Sequence, residues 1–127
     1  MYKRQTYTGP TTVNSGGTLQ LVNPNALKSS ALTLNSGTTL QLNADTNATF
    51  PNAGLTLPTG SDTLGFVVNS LTGATGKTLT LGNALTFLAS SDQSITVTGN
   101  STYTLGLGAV TLTSTAHTPF PLSLIHI

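Results

Sequence analysis

Apolar and polar positions alternate along most of this chain in short runs, and the runs come in pairs. Thr11 to Leu21 sets the pattern: Thr-Thr-Val, the hinge Asn14-Ser15-Gly16-Gly17, then Thr-Leu-Gln-Leu. Thr33 to Leu42 is nearly a copy, and looser copies span Leu55–Val67, Leu79–Leu88 and Ile95–Leu105. Val110-Thr111-Leu112 begins one more. Alternation with period two predicts half-buried strands. Repetition at a near-constant period predicts a stack of similar units, because one unit cannot bury its own apolar face.

Aligned on its central apolar residue, the second run gives the column Leu19, Leu40, Leu64, Leu85 and Tyr103, at spacings between 18 (103 − 85) and 24 (64 − 40). The first run gives Val13, Leu34, Leu57, Leu81, Val97 and Leu112. A period near 20 fits one coil of a β-solenoid, with two or three short strands and the turns between them. The aliphatic columns face inward. Thr12, Thr33, Thr56, Thr80, Thr96 and Thr111 face outward as an expected ladder, beside a mixed column of Gln20, Gln41, Gly65, Thr86 and Thr104. β-branched Thr favours strand and tolerates water.

The hinges are rich in Gly, Asn, Ser and Asp, which accept positive φ or bond their own backbone. The short Gly82-Asn83 link also fits an antiparallel hairpin. The repeated period favours corners of a coil. Longer inserts, Val22–Ala31, Asn43–Gly54, Asn69–Gly76 and Ala89–Ser94, are expected to close the coils, with a third short strand at Thr49-Phe50. Asn25–Ser30 has room for one helical turn at most. After Ser114 the pattern fails, and Thr118-Pro119-Phe120-Pro121 is expected to be irregular.

Composition narrows the role. Four Lys plus Arg against three Asp plus Glu give a net charge of +1, so no basic field exists to draw nucleic acid or an anionic membrane. Cysteine is absent, which excludes disulfides, thiolate chemistry and Cys-ligated zinc. No run has the length of a membrane helix, and no apolar segment follows Lys3-Arg4 as in a signal peptide. Residues 1–5 and 122–127 break the repeat and are read as non-native tails. Residues 6–114 are read as an internal run of repeats, and 115–127 as irregular.

Thr6 to Leu21, with Tyr7-Thr8-Gly9, the Thr pair, Val13-Asn14, the Gly pair and Thr18-Leu19, resembles the autotransporter-associated β-strand repeat. Leu32–Leu42 carries a shorter match. The resemblance implies a right-handed parallel β-helix in the passenger region of a large exported bacterial protein. The expected fold is thus an all-β, right-handed parallel β-helix (β-solenoid) fragment of about five coils.

The expected function is a structural segment, a stalk or adhesive scaffold at the bacterial surface or outside the cell. It has no catalysis and no cofactor. Its partners are neighbouring repeats of the parent chain, surface glycans, and further copies through open strand edges. The alternative is a module that binds glycan or ice through the Thr ladder. A third class is a carbohydrate-active β-helix enzyme, which needs carboxylates clustered on one face. The only carboxylates are Asp45, Asp62 and Asp92, each beside turn residues, where capping is their ordinary work. His117 and His126 lie in the irregular end, and no Ser/His/Asp set falls within one repeat. Asn47-Ala48-Thr49 and Asn100-Ser101-Thr102 match the glycosylation acceptor pattern, as chance allows in an Asn- and Thr-rich chain.

Overall fold

A computed structural model describes residues 8–58, 63–89, 94–99 and 102–114. Twelve strands occupy most of them: β1 (Thr11–Val13), β2 (Thr18–Leu21), β3 (Ala31–Leu34), β4 (Thr39–Asn43), β5 (Ala48–Phe50), β6 (Gly54–Thr56), β7 (Thr63–Asn69), β8 (Thr78–Leu81), β9 (Leu85–Ala89), β10 (Ser94–Gly99), β11 (Thr104–Leu107) and β12 (Val110–Ser114). No helix occurs among the described residues. The strands form four sheets, in the orders β1-β3-β6, β10-β7-β4-β2, β11-β8-β5 and β12-β9. Each pair is parallel, and no strand pairs with its neighbour in sequence. The tight Gly82-Asn83 link therefore turns a corner between β8 and β9, which lie in different sheets, and makes no hairpin.

The corners explain why the hinges look alike. Gly16 and Gly37 each follow Asn-Ser and sit at φ +75 and +68, a left-handed conformation that glycine adopts without a Cβ penalty. The two turns lie against one another, with the Gly16 amide donating to Ser36 O at 3.3 Å. The Gly37 amide in turn donates to Thr63 O at 3.0 Å. Corner stacks on corner as strand stacks on strand.

The core runs through all four sheets. Leu32, Leu34, Leu40, Leu42, Phe50, Phe66, Val68, Leu79, Leu81 and Leu85 are each no more than 1% exposed. Residues 22–30 supply no strand, yet Leu27 enters the core and the Ser30 side chain is fully buried, its hydroxyl bonded to the Gly9 carbonyl and to Thr11 Oγ1. The expected third strand is present as β5.

The register corrects the sequence columns. Leu19 does lie over Leu40, but Leu40 is opposite Phe66 and not Leu64, and Phe66 is opposite Val97. Leu64 pairs with Ile95. Leu85 belongs to the fourth sheet opposite Val110, and Tyr103 precedes β11 outside any strand. In the first-run column, Val13 lies over Leu34, but Leu81 is in the third sheet and Val97 in the second. One feature permits the observed register and a second selects it. β7 has three inward apolar residues, Leu64, Phe66 and Val68, so a slip of two still buries aliphatics. The observed slip places Gly65 opposite Thr39, where a Cβ would come within 2.8 Å of Thr39 Oγ1.

The period is also not constant. Along the second sheet the steps are 21 (39 − 18), 26 (65 − 39) and 31 (96 − 65) residues. The repeats lengthen at their turns while the strands hold phase.

Candidate functional site

The expected ladder of six threonines is divided among the sheets. Thr12, Thr33 and Thr56 are direct neighbours across the first sheet. Thr80 lies in the third sheet between Thr49 and Gly106, Thr96 in the second opposite Gly65, and Thr111 in the fourth opposite Thr86. A single row of six is therefore corrected to one row of three and shorter fragments. The inserts differ in length, so positions that align in sequence fall on different sheets.

Each row still carries usable chemistry. Thr12 and Thr56 are exposed and Thr33 is half-buried between them. Neighbouring strands lie about 4.8 Å apart, so three hydroxyls, each able to donate and accept, form a short flat strip. The second sheet presents Thr18, Thr39, Gly65 and Thr96 in one row and Gln20, Gln41, Val67 and Thr98 in the next. Gly65 and Gly106 interrupt the threonine rows, and in both places the preceding threonine leans into the gap. A Cβ on Gly106 would meet Thr80 Oγ1 at 2.5 Å.

The densest polar cluster lies instead where β4 and β7 end. The Asp45 carboxylate accepts the Leu71 amide at 2.8 Å, the Thr72 amide at 3.0 Å and the Thr72 hydroxyl at 2.8 Å. These bonds, led by the Thr72 amide, hold the carboxyl below its ordinary value and outweigh a smaller opposing desolvation. The Tyr103 hydroxyl donates to Ala44 O at 2.8 Å, across 59 residues of sequence. Desolvation raises the Tyr103 phenol, and the Asp45 charge adds to the rise. Asn47 Oδ1 accepts the Thr78 amide at 2.9 Å, and Thr102 Oγ1 accepts the Gly76 amide at 2.8 Å. Asp45 thus caps a turn, as its neighbours in sequence suggest, but the turn belongs to the following repeat. Tyr103 was expected among the buried aliphatics. Its polar tip in a column of Leu was the one sequence signal of this tie.

With both carboxylate oxygens committed to backbone and hydroxyl donors, this cluster is built as a clasp. Among the described residues no group of three His, Cys, Asp or Glu side chains could hold a metal ion. Asp62, Asp92, His117 and His126 lie outside the described residues, as do residues 1–5 and 115–127. No helix among the described residues is long and apolar enough to cross a membrane. No protein family, curated protein or solved structure matches the chain.

Proposed function

We propose that the chain is a segment of a right-handed parallel β-helix that serves as a stalk or adhesive scaffold in a secreted or surface-displayed bacterial protein. The observation that carries this reading is the parallel register between successive repeats, with aliphatic rows inside and hydroxyl and amide rows outside. The order of sheets along the chain supports the winding. After β5, β6 returns to the first sheet; after β8, the fourth sheet takes that place, and β10 then returns to the second. The hand follows the general preference of parallel crossover connections. The resemblance of Thr6 to Leu21 to the autotransporter repeat supports the bacterial passenger context. The proposed role asks only for length and rigidity, so it needs no cofactor and no catalytic group.

Display tests it. The chain is inserted between an export signal with a terminal epitope and an outer-membrane barrel. Four strands in the second sheet should lift the epitope by about 19 Å, at about 4.8 Å per strand, and a tandem duplicate should double the lift. A surface epitope whose height ignores the insert, or an insert degraded before display, contradicts the stalk.

The Thr12–Thr33–Thr56 strip supports a second reading, a glycan- or ice-binding face. Ice-recrystallisation and glycan-array assays should then lose their signal with Thr33→Tyr. No signal from the wild-type chain rules it out.

A further inference from the structure

Two stretches of the chain carry the Asn-x-Thr pattern, and the fold treats them differently. In Asn100-Ser101-Thr102 the Asn and Ser lie outside the described residues, and the Thr102 hydroxyl accepts the Gly76 amide at 2.8 Å. In Asn47-Ala48-Thr49 both polar side chains are exposed. Phe50 is 1% exposed and faces the core, so alternation puts Thr49 and Asn47 together on the outer face of the third sheet.

The atoms of the two side chains are sorted as an acceptor needs. Asn47 Oδ1 accepts the Thr78 amide at 2.9 Å. The amide nitrogen Nδ2, the group that carries an N-linked sugar, has no partner among the described residues. The Thr49 methyl lies beside Gly82, where a Cβ would come within 3.2 Å of it. The methyl therefore takes the packed position, and the hydroxyl stays outside. The chain is also held on both sides of Asn47: Asp45 is bonded to Leu71 and Thr72, and β5 is paired with β8.

We propose that Asn47 is the acceptor of an N-linked glycan, carried on the outer face of the folded third sheet. The donor is a sugar joined through C1 to a diphosphate, and a transferase supplies the activation that an amide nitrogen needs. Nδ2 attacks C1 and the Nδ2–C1 bond forms. The C1–O bond to phosphate breaks, the diphosphate leaves with the electron pair, and one Nδ2 proton passes to a base on the transferase. Oδ1 takes no part in the new bond, so the tie to Thr78 survives in the product. Acceptance at Asn47 needs only the β5–β8 pairing and goes beyond the stalk role.

Transfer to the full 127-residue folded chain tests this, with Asn100→Gln removing the second pattern. One arm offers UDP-glucose with a soluble N-glycosyltransferase, the other a lipid-linked oligosaccharide with a membrane oligosaccharyltransferase. Intact mass and peptide mapping should show one glycan per chain, on Asn47, in at least one arm, and the arm that works identifies the donor. Thr49→Ala should abolish transfer while leaving the Asn47–Thr78 bond in place, and Thr49→Ser should keep it. Glycosylated and bare chains should melt at the same temperature, because the Thr78 bond is retained. No glycan on the folded chain in either arm overturns the proposal, even where the unfolded chain is modified. Transfer undiminished by Thr49→Ala overturns the role of the Thr hydroxyl, and a lower melting temperature after transfer overturns the retained Oδ1 bond.

Discussion

The first two repeats and the later ones solve the same packing problem with different amounts of chain. Between β2 and β4 the step is 21 (39 − 18) residues, the hinges are Asn-Ser-Gly copies, and each residue of Thr18–Leu21 lies on its sequence counterpart in Thr39–Leu42. Between β7 and β10 the step is 31 (94 − 63) residues, the hinges share no motif, and Phe66 lies opposite Val97, which the sequence columns assign to the other run; the slip of two lies one step earlier, between β4 and β7. The strands nonetheless stack in parallel in both regions. Inward phase is therefore the conserved quantity of the architecture, because a slip of one would turn the aliphatic face to water. Length is free at the corners, provided the extra turn finds bonding partners. Asp45 supplies them for Leu71 and Thr72, and Asn47 for Thr78.

Substitutions can break this comparison, most strongly in the interior. Leu40 is fully buried between Leu19 and Phe66, so Leu40→Ala should lower unfolding free energy by about 2–5 kcal/mol. Leu19→Ala, in the same row but half-buried, should cost less than half as much. Denaturant melts of the two variants read the difference directly, and equal losses would mean that Leu19 is as well covered as Leu40.

The glycine positions come next. Gly106→Ala forces a methyl against Thr80 and should cost about 1–3 kcal/mol, relieved by adding Thr80→Ala. Gly16→Ala meets nothing within 4 Å, so it should cost only the left-handed backbone, about 1–2 kcal/mol, with no rescue from any neighbour. Gly106→Ala left unrescued by Thr80→Ala would separate the later repeats from the packing described.

The clasp gives the smallest effect and the one with a pH signature. The folded carboxyl of Asp45 titrates below its ordinary value of 3.8. Its contribution is therefore complete above the unfolded value and is lost as pH falls through the lower folded value. Wild-type protein should lose stability in that acid window. Asp45→Asn should be slightly less stable at neutral pH and show a flatter acid limb. Thermal melts from neutral pH to below 3.8 decide it.

The strands were legible because alternation and turn chemistry are local. β1 to β4, their hinges and the short β5 follow from Thr11–Leu42 and Thr49-Phe50 read as sequence. The later register was not legible, because Leu64, Phe66 and Val68 offer two equally apolar phases and only the Thr39–Gly65 contact distinguishes them. The six-threonine ladder failed for the same reason. Thr80, Thr96 and Thr111 obey the alternation, but the sheet each one joins depends on insert length. The Asp45–Thr72 and Tyr103–Ala44 bonds span 27 (72 − 45) and 59 residues, beyond the reach of any local pattern.

Paired cysteines in this cysteine-free chain test the stacking most directly. Gln41 and Val67 are directly opposed on the outer face of adjacent parallel strands, whereas sequence alignment would set Gln41 against Gly65. Oxidation of Gln41→Cys with Val67→Cys should form an intramolecular disulfide rapidly and nearly completely, since opposed strand positions meet the required separation. Faster bridging by Gln41→Cys with Gly65→Cys, or no bridging by either pair, would contradict it.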